Sequence, residues 1–247
     1  MPVRRPLKAL LAPPRSLPAS VVVVTTVGPV EIDVRASPRA RRVSLKFDPS
    51  TDIFELVIPP RASIKQAFGF AQQQAGWLAA RLKDLTPRVP FAPGAVVPIL
   101  GQSFWIRHFA ERGPPVFARD GELMVSGGLE HVGRRIQDFL KGRARAEIVP
   151  RAHALAGKLG RKVRRISLRD PKTRWGSCAA NGDLAFSWRL VLAPEHVLTY
   201  VVAHEVAHLA EMNHSRRFWA TVDRLMPDAE RSKDWLKRHG KSLLRYG

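Results

Sequence analysis

The sequence predicts an α+β protein with a β-rich N-terminal lobe over residues 20–128 and a C-terminal lobe over residues 129–247. Three observations carry this expectation. Short β-branched runs separated by turn residues fill the first half, and longer segments with helical apolar spacing follow them. The stretch VVAHEVAHLAEMNHSRRFW, residues 201–219, joins apolar helix-forming sequence to three of the chain's eight histidines. The C-terminal lobe is therefore expected to hold a histidine-bearing helix packed on a small sheet.

The elements follow in order. Residues 1–19 are rich in proline and basic side chains and read as a flexible tail. VVVVTTV (21–27) is a strand by its β-branching. RRVSLKF (41–47) and DIFELVI (52–58) alternate around DPSTD and form a hairpin. Residues 63–85 carry apolar side chains at helical spacing, with Ser63 as N-cap and Pro87 as stop. GAVVPILGQSFWIRHF (94–109) gives two strands around Gly101, and 116–126 gives a hairpin across Asp120-Gly121. A helix is expected from Leu129 to Leu159, broken or kinked at Pro150. RRISLR (164–169) and GDLAFSWRLVLAP (182–194) are strands, and Pro194-Glu195 opens the helix that runs through the histidines. Helices over 215–225 and 231–244 complete the outline. No internal repeat is visible.

The 247 residues suffice for a sizeable core, and 45% hydrophobic with 25% charged content is ordinary for a globular protein. The charge is not ordinary: 41 Lys+Arg against 21 Asp+Glu give a net charge of +20. That excess favours encounter with polyanions and says nothing of fold. A single cysteine, Cys178, excludes an intramolecular disulfide and suits a reducing compartment. No apolar run has membrane-spanning length, so a cytoplasmic protein with no membrane partner is expected.

The chemistry lies in H-E-x-x-H: His204, Glu205 and His208. On a helix, positions i and i+4 share one face, so both imidazoles can reach one ion. Glu205 lies off that face but can reach a water held by the ion, which suits a general base better than a ligand. Catalytic zinc takes three protein ligands, and the candidate third is His214. Six further helical residues would turn His214 through about 600°, so the helix must end between His208 and His214. Met212-Asn213 is the expected end, with Asn closing the helix in a left-handed conformation and Ser215 capping the next helix. Three unpaired imidazoles and a carboxylate would be costly core residues, so one Zn2+ per chain is the better reading.

The segments T-R-W-G-S-C (173–178), W-R-L-V-L-A-P (188–194), V-V-A-H-E-V-A-H-L (201–209) and M-N-H-S-x-x-F-W (212–219) together resemble the YgjP-like metallopeptidase family. These are zincins distantly similar to SprT-like and Wss-like proteases. R-A-R-R-V-S-L (39–45) and W-L-A-A-R-L (77–82) also fit. The resemblance implies a zincin-like catalytic lobe, zinc on His204, His208 and His214, Glu205 as catalytic base, and a peptide or protein substrate. One departure is Ser187, where the family more often has Asn.

A peptidase also needs a donor for its oxyanion, and His196, Tyr200 and Arg174 are candidates. Arg174-Trp175-Gly176-Ser177-Cys178 is either a strand edge that pairs with a substrate or a packed turn. Cys178 reads as a buried thiol rather than a fourth ligand, and Glu211 as a solvated carboxylate or an acceptor for a ligand imidazole. Residues 134–169 hold twelve Lys/Arg against Asp138 and Glu147, and Arg39, Arg41 and Arg42 form a second basic cluster. These clusters support the alternatives: a nucleic-acid-associated protein with a structural zinc site, or a protease acting on DNA-bound proteins.

Overall fold

A computed structural model describes residues 17–48, 51–85 and 87–247. Residues 1–16 of the expected tail, and Pro49 and Ser50 of the expected turn, lie outside the described residues. The chain divides into two compact units, with the boundary between Leu85 and Thr86. The sequence placed a lobe boundary at 128/129. In the structure, residues 87–128 share a core with the C-terminal lobe: Val97, Ile106, Leu123 and Val125 pack in one cluster with Ile136, Leu198 and Val202.

The N-terminal unit holds β1 (Ser20–Thr25), β2 (Gly28–Ala36), β3 (Ser44–Asp48) and β4 (Ile53–Ile58), followed by helices α1 (Ile64–Gln73) and α2 (Ala75–Lys83). The sheet order is β1-β2-β4-β3, with β2 and β4 parallel and the outer pairs antiparallel. Val23, Val30, Ile32, Phe54 and Leu56 alternate inward and meet Ala67, Ala71 and Leu78 of the helices. Strand β2 was not foreseen, as no element is expected from sequence between residues 28 and 40. The single helix expected over 63–85 is two. Its start is as expected, with Ser63 and Gln66 forming a reciprocal capping box. Gln74, at φ −92° and ψ 10°, then leaves helical geometry and separates α1 from α2.

The second unit begins with β5 (Val96–Ile99), β6 (Gln102–Phe109), β7 (Val116–Arg119) and β8 (Glu122–Ser126), in order β5-β6-β8-β7. The hairpin turns carry positive φ at Leu100-Gly101 and Asp120-Gly121, as two-residue turns between twisted strands require. The connectivity repeats that of the first sheet: two hairpins joined through a parallel central pair, then a helix. This repetition is invisible in the sequence because topology is kept without residue identity.

A 3-10 turn at Leu129–His131 leads into α3 (Val132–Lys158). Ile136, Leu140, Ala144, Ile148 and Ala152 recur every four residues and bury one stripe. The helix runs unbroken through Pro150. After it come β9 (Arg165–Arg169), β10 (Gly176–Cys178) and β11 (Asp183–Ser187). Their order is β10-β11-β9, with β9 parallel to β11 and β10 at an antiparallel edge. The strand expected over 182–194 stops at Ser187, and Trp188–Leu192 forms a fully buried 3-10 helix. A continuous apolar run does not separate strand from buried helix, and the Ser187 hydroxyl, accepting from the Arg189 N–H at 3.3 Å, makes the turn.

Helix α4 (Glu195–Ala207) is apolar nearly all round and forms the centre of this unit. Helices α5 (Arg216–Leu225) and α6 (Ala229–Leu243) pack against it. No helix among the described residues is long and apolar enough to cross a membrane.

Candidate metal centre and active site

Helix α4 brings His204 and His208 to one face, one turn apart. It then ends earlier than the sequence suggested. Its last regular residue is Ala207, and Leu209 and Ala210 donate to Val206 and Ala207 at 3.0 Å in a tightened final turn. Asn213 is not left-handed; the described non-glycine residues with positive φ are Asp52, Leu100 and Asp120. The chain bends back through 211–214 instead, and Ser215 caps α5 by accepting from the Phe218 N–H at 3.4 Å.

The result is a cluster in which one nitrogen from each of His204, His208 and His214 lies within 4.8 Å of the others. Nε2 of His204 and Nε2 of His214 stand 3.2 Å apart. Two donors sharing a tetrahedral ion at zinc distances stand about 3.3 Å apart, so this edge already has ligand spacing. Nδ1 of His208 lies 3.1 Å from the backbone carbonyl of Glu211. A carbonyl only accepts, so Nδ1 carries the proton and Nε2 is left as a lone-pair donor. Of the two readings of Glu211, the acceptor role falls to its main chain and not to its carboxylate. Burial, and then the neighbouring His208 and His214, push the pKa of His204 down to about 4. His208 is also lowered, chiefly by burial. Imidazoles converging without an acid between them are the donor set a zinc-like ion takes.

Phe218 organises all three rings. It is fully buried, stacks on His208 with centroids 4.4 Å apart, and meets His214 and His204 edge-on at 4.7 and 4.9 Å. Trp219 flanks His204 and His214 at 5.9 and 5.8 Å.

Glu205 is 7% exposed and makes no hydrogen bond among the described residues. Burial raises its pKa to about 7, against the opposing pull of the Arg174 guanidinium. Its carboxylate lies against the edge strand β10: a Cβ on Gly176 would fall 2.5 Å from Glu205 Cγ and Oε1. Only glycine permits this approach. Cys178, two residues on, is half-buried and outside the nitrogen cluster, and its pKa is raised to about 11 by burial and by the Glu205 charge.

The other expected residues divide. Tyr200 lies one turn before His204 on α4, with its ring 6.0 Å from that imidazole. Arg174 is near enough for its charge to act on Glu205. Trp175 is a packed wall whose indole sits against Gly240 of α6 and whose carbonyl accepts from the Ser187 N–H at 2.8 Å. His196 is two turns from His204, about 12 Å along the helix, and its Nδ1 is 2.9 Å from the buried Ser232 hydroxyl. The structure does not bring it to the cluster. The contact of Gly176 with Glu205 was missed as a contact, though glycine in the T-R-W-G-S-C stretch was its signal.

A histidine triad that could hold a metal ion thus stands beside a buried carboxylate, and the comparison with known families points to a metallopeptidase. The profile described as YgjP-like, metallopeptidase domain, matches residues 41–239. The chain belongs to the YgjP-like metallopeptidase family, a membership that implies a metal. No curated protein matches it. Among solved structures, the metallopeptidase zymogen of Pyrococcus abyssi abylysin is similar at 21% identity over 44% of this chain and 96% of that one, with a TM-score of 0.30.

Proposed function

We propose that the protein is a zinc peptidase in which His204, His208 and His214 hold one zinc ion and Glu205 is the general base. The observation that carries this reading is the pairing of three converging imidazoles with a buried, unbonded carboxylate one residue from the first of them. A purely structural zinc site has no use for that carboxylate.

When bound, zinc supplies a Lewis acid that polarises a carbonyl and acidifies a water. Glu205 takes a proton from the attacking water and delivers it to the leaving amine. Its raised pKa suits a group that must both accept and release a proton near neutrality. Strand β10 offers its outer main-chain groups to an extended peptide, which places a peptide bond beside Glu205. Tyr200 and Arg174 are the candidate donors to the oxyanion, and His196 is a support of α4 through Ser232.

The test is hydrolysis of an unbiased peptide mixture by the zinc-loaded full chain and by Glu205→Gln. Cleavage by wild type and at least about a thousand-fold less by the variant is expected. Equal cleavage by both would remove Glu205 from the mechanism.

A further inference from the structure

The outward face of the β10-β11-β9 sheet is a groove of about 400 Å³ that runs onto the strand touching Glu205. Its floor is one row of small side chains in register, Ser177 opposite Ala185 and Ala185 opposite Ser167. Arg165 and Arg169 rise from β9 on either side of Ser167, because residues two apart on a strand share a face. Arg174 also lines the groove and is near enough to Glu205 for its charge to act there. The three guanidinium groups are exposed and make no hydrogen bond or ion pair among the described residues. The one acid on the rim, Asp183, is held by Arg164 through bonds of 2.7 and 2.5 Å. The groove therefore presents three exposed guanidinium groups with no hydrogen-bonded partner over a floor of small side chains, Arg165 acting at longer range on Asp183 and Arg174 on Glu205.

We infer that this groove binds acidic side chains of a polypeptide, and that the substrate is a chain with Asp or Glu clustered some residues away from the scissile bond, since β9 lies two strands, about 10 Å, from β10. This rests on the peptidase reading, since a polypeptide is what would lie along β10. The guanidinium fork matches a carboxylate in two parallel bonds, and the small floor leaves room for an extended chain to lie flat. Arg165 and Arg169 are four residues apart, about 13 Å along the strand, the spacing of side chains four apart in an extended peptide. The site thus selects substrate by charge at a distance from the zinc ligands.

The experiment measures fluorescence anisotropy of a labelled peptide of alternating Ala and Glu on the full-length Glu205→Gln protein, which leaves the probe uncut. Arg165→Ala/Arg169→Ala is expected to weaken binding at least about ten-fold. Arg41→Ala/Arg42→Ala, an equal loss of charge in the N-terminal unit, is expected to change it less than about two-fold. An equal fall in both variants, or none in the first, would overturn the groove. So would a single-stranded oligonucleotide that loses affinity ten-fold in the first variant while the peptide does not, since the occupant would then be nucleic acid. Cleavage by the protein with native Glu205 separates the two readings. A raised KM at unchanged kcat in Arg165→Ala/Arg169→Ala supports both. Peptide binding lost in that variant, with no peptide cut by wild type, leaves the groove standing and removes the peptidase.

Discussion

Gly176 and Glu205 touch: the space a side chain at 176 would need is already filled by Cγ and Oε1 of the glutamate, 2.5 Å from where a Cβ would stand. The edge strand β10 and helix α4 are therefore fitted to each other at one backbone position. Gly176→Ala should turn the carboxylate away while leaving the imidazole cluster in place. The expected outcome is full zinc content with kcat lowered about a hundred-fold, the cost of misplacing a reacting group by about an ångström. Unchanged turnover would show that Glu205 has room to spare.

Phe218 supports three imidazoles at once. Phe218→Ala should cost about 3–5 kcal/mol of stability, read by chemical denaturation, because it empties a fully buried site. Zinc affinity, measured by competition with a chelator, should also fall. Phe218→Leu should recover most of the stability and less of the affinity, since a branched aliphatic fills volume without stacking on His208.

Cys178 should be slow to react. Burial, reinforced by the Glu205 charge, raises its pKa from 9.0 to about 11, so its thiolate fraction at pH 8 falls roughly a hundred-fold. Alkylation with iodoacetamide at pH 8 should be slower by about that factor in the folded protein than after denaturation. The rate should climb as pH rises toward 11. A folded-state rate equal to the denatured one would place the thiol in solvent.

Arg189 ties the end of the chain to the unit that holds the site. Its guanidinium bonds Asp170 at 2.6 Å and the carbonyls of Leu243 and Tyr246 at 3.1 and 2.6 Å. Arg189→Ala strands a carboxylate and two carbonyls and should cost about 3 kcal/mol. Arg189→Lys should restore only part, because an ammonium lacks the planar fork. Thermal unfolding of the three proteins measures the ranking.

These residues also show what the sequence could reveal. His204 and His208 were legible because helical spacing alone puts i and i+4 on one face, and Ser63, Ser215 and the Gly101 and Gly121 turns were legible because caps and tight turns are local chemistry. Trp188–Leu192 was misread as strand because burial on all sides erases the periodicity that tells a helix from a strand. The exit from α4 was placed at Asn213, where a turn residue stood, but the last turn tightens at Leu209 and Ala210 under tertiary packing. The pairing of β2 with β4, the shared connectivity of the two sheets and the contact of Gly176 with Glu205 join segments distant in the chain, and no local pattern announces them.

The central claim is that three histidines hold one zinc, and metal content by elemental mass spectrometry tests it most directly. Wild type and His214→Ala would be purified without added metal and measured alongside Glu205→Gln. About one zinc per chain in wild type and in Glu205→Gln, with loss in His214→Ala, is the expected result. A wild type that stays empty and takes up no added zinc, or a His214→Ala protein that keeps a full equivalent, would contradict it.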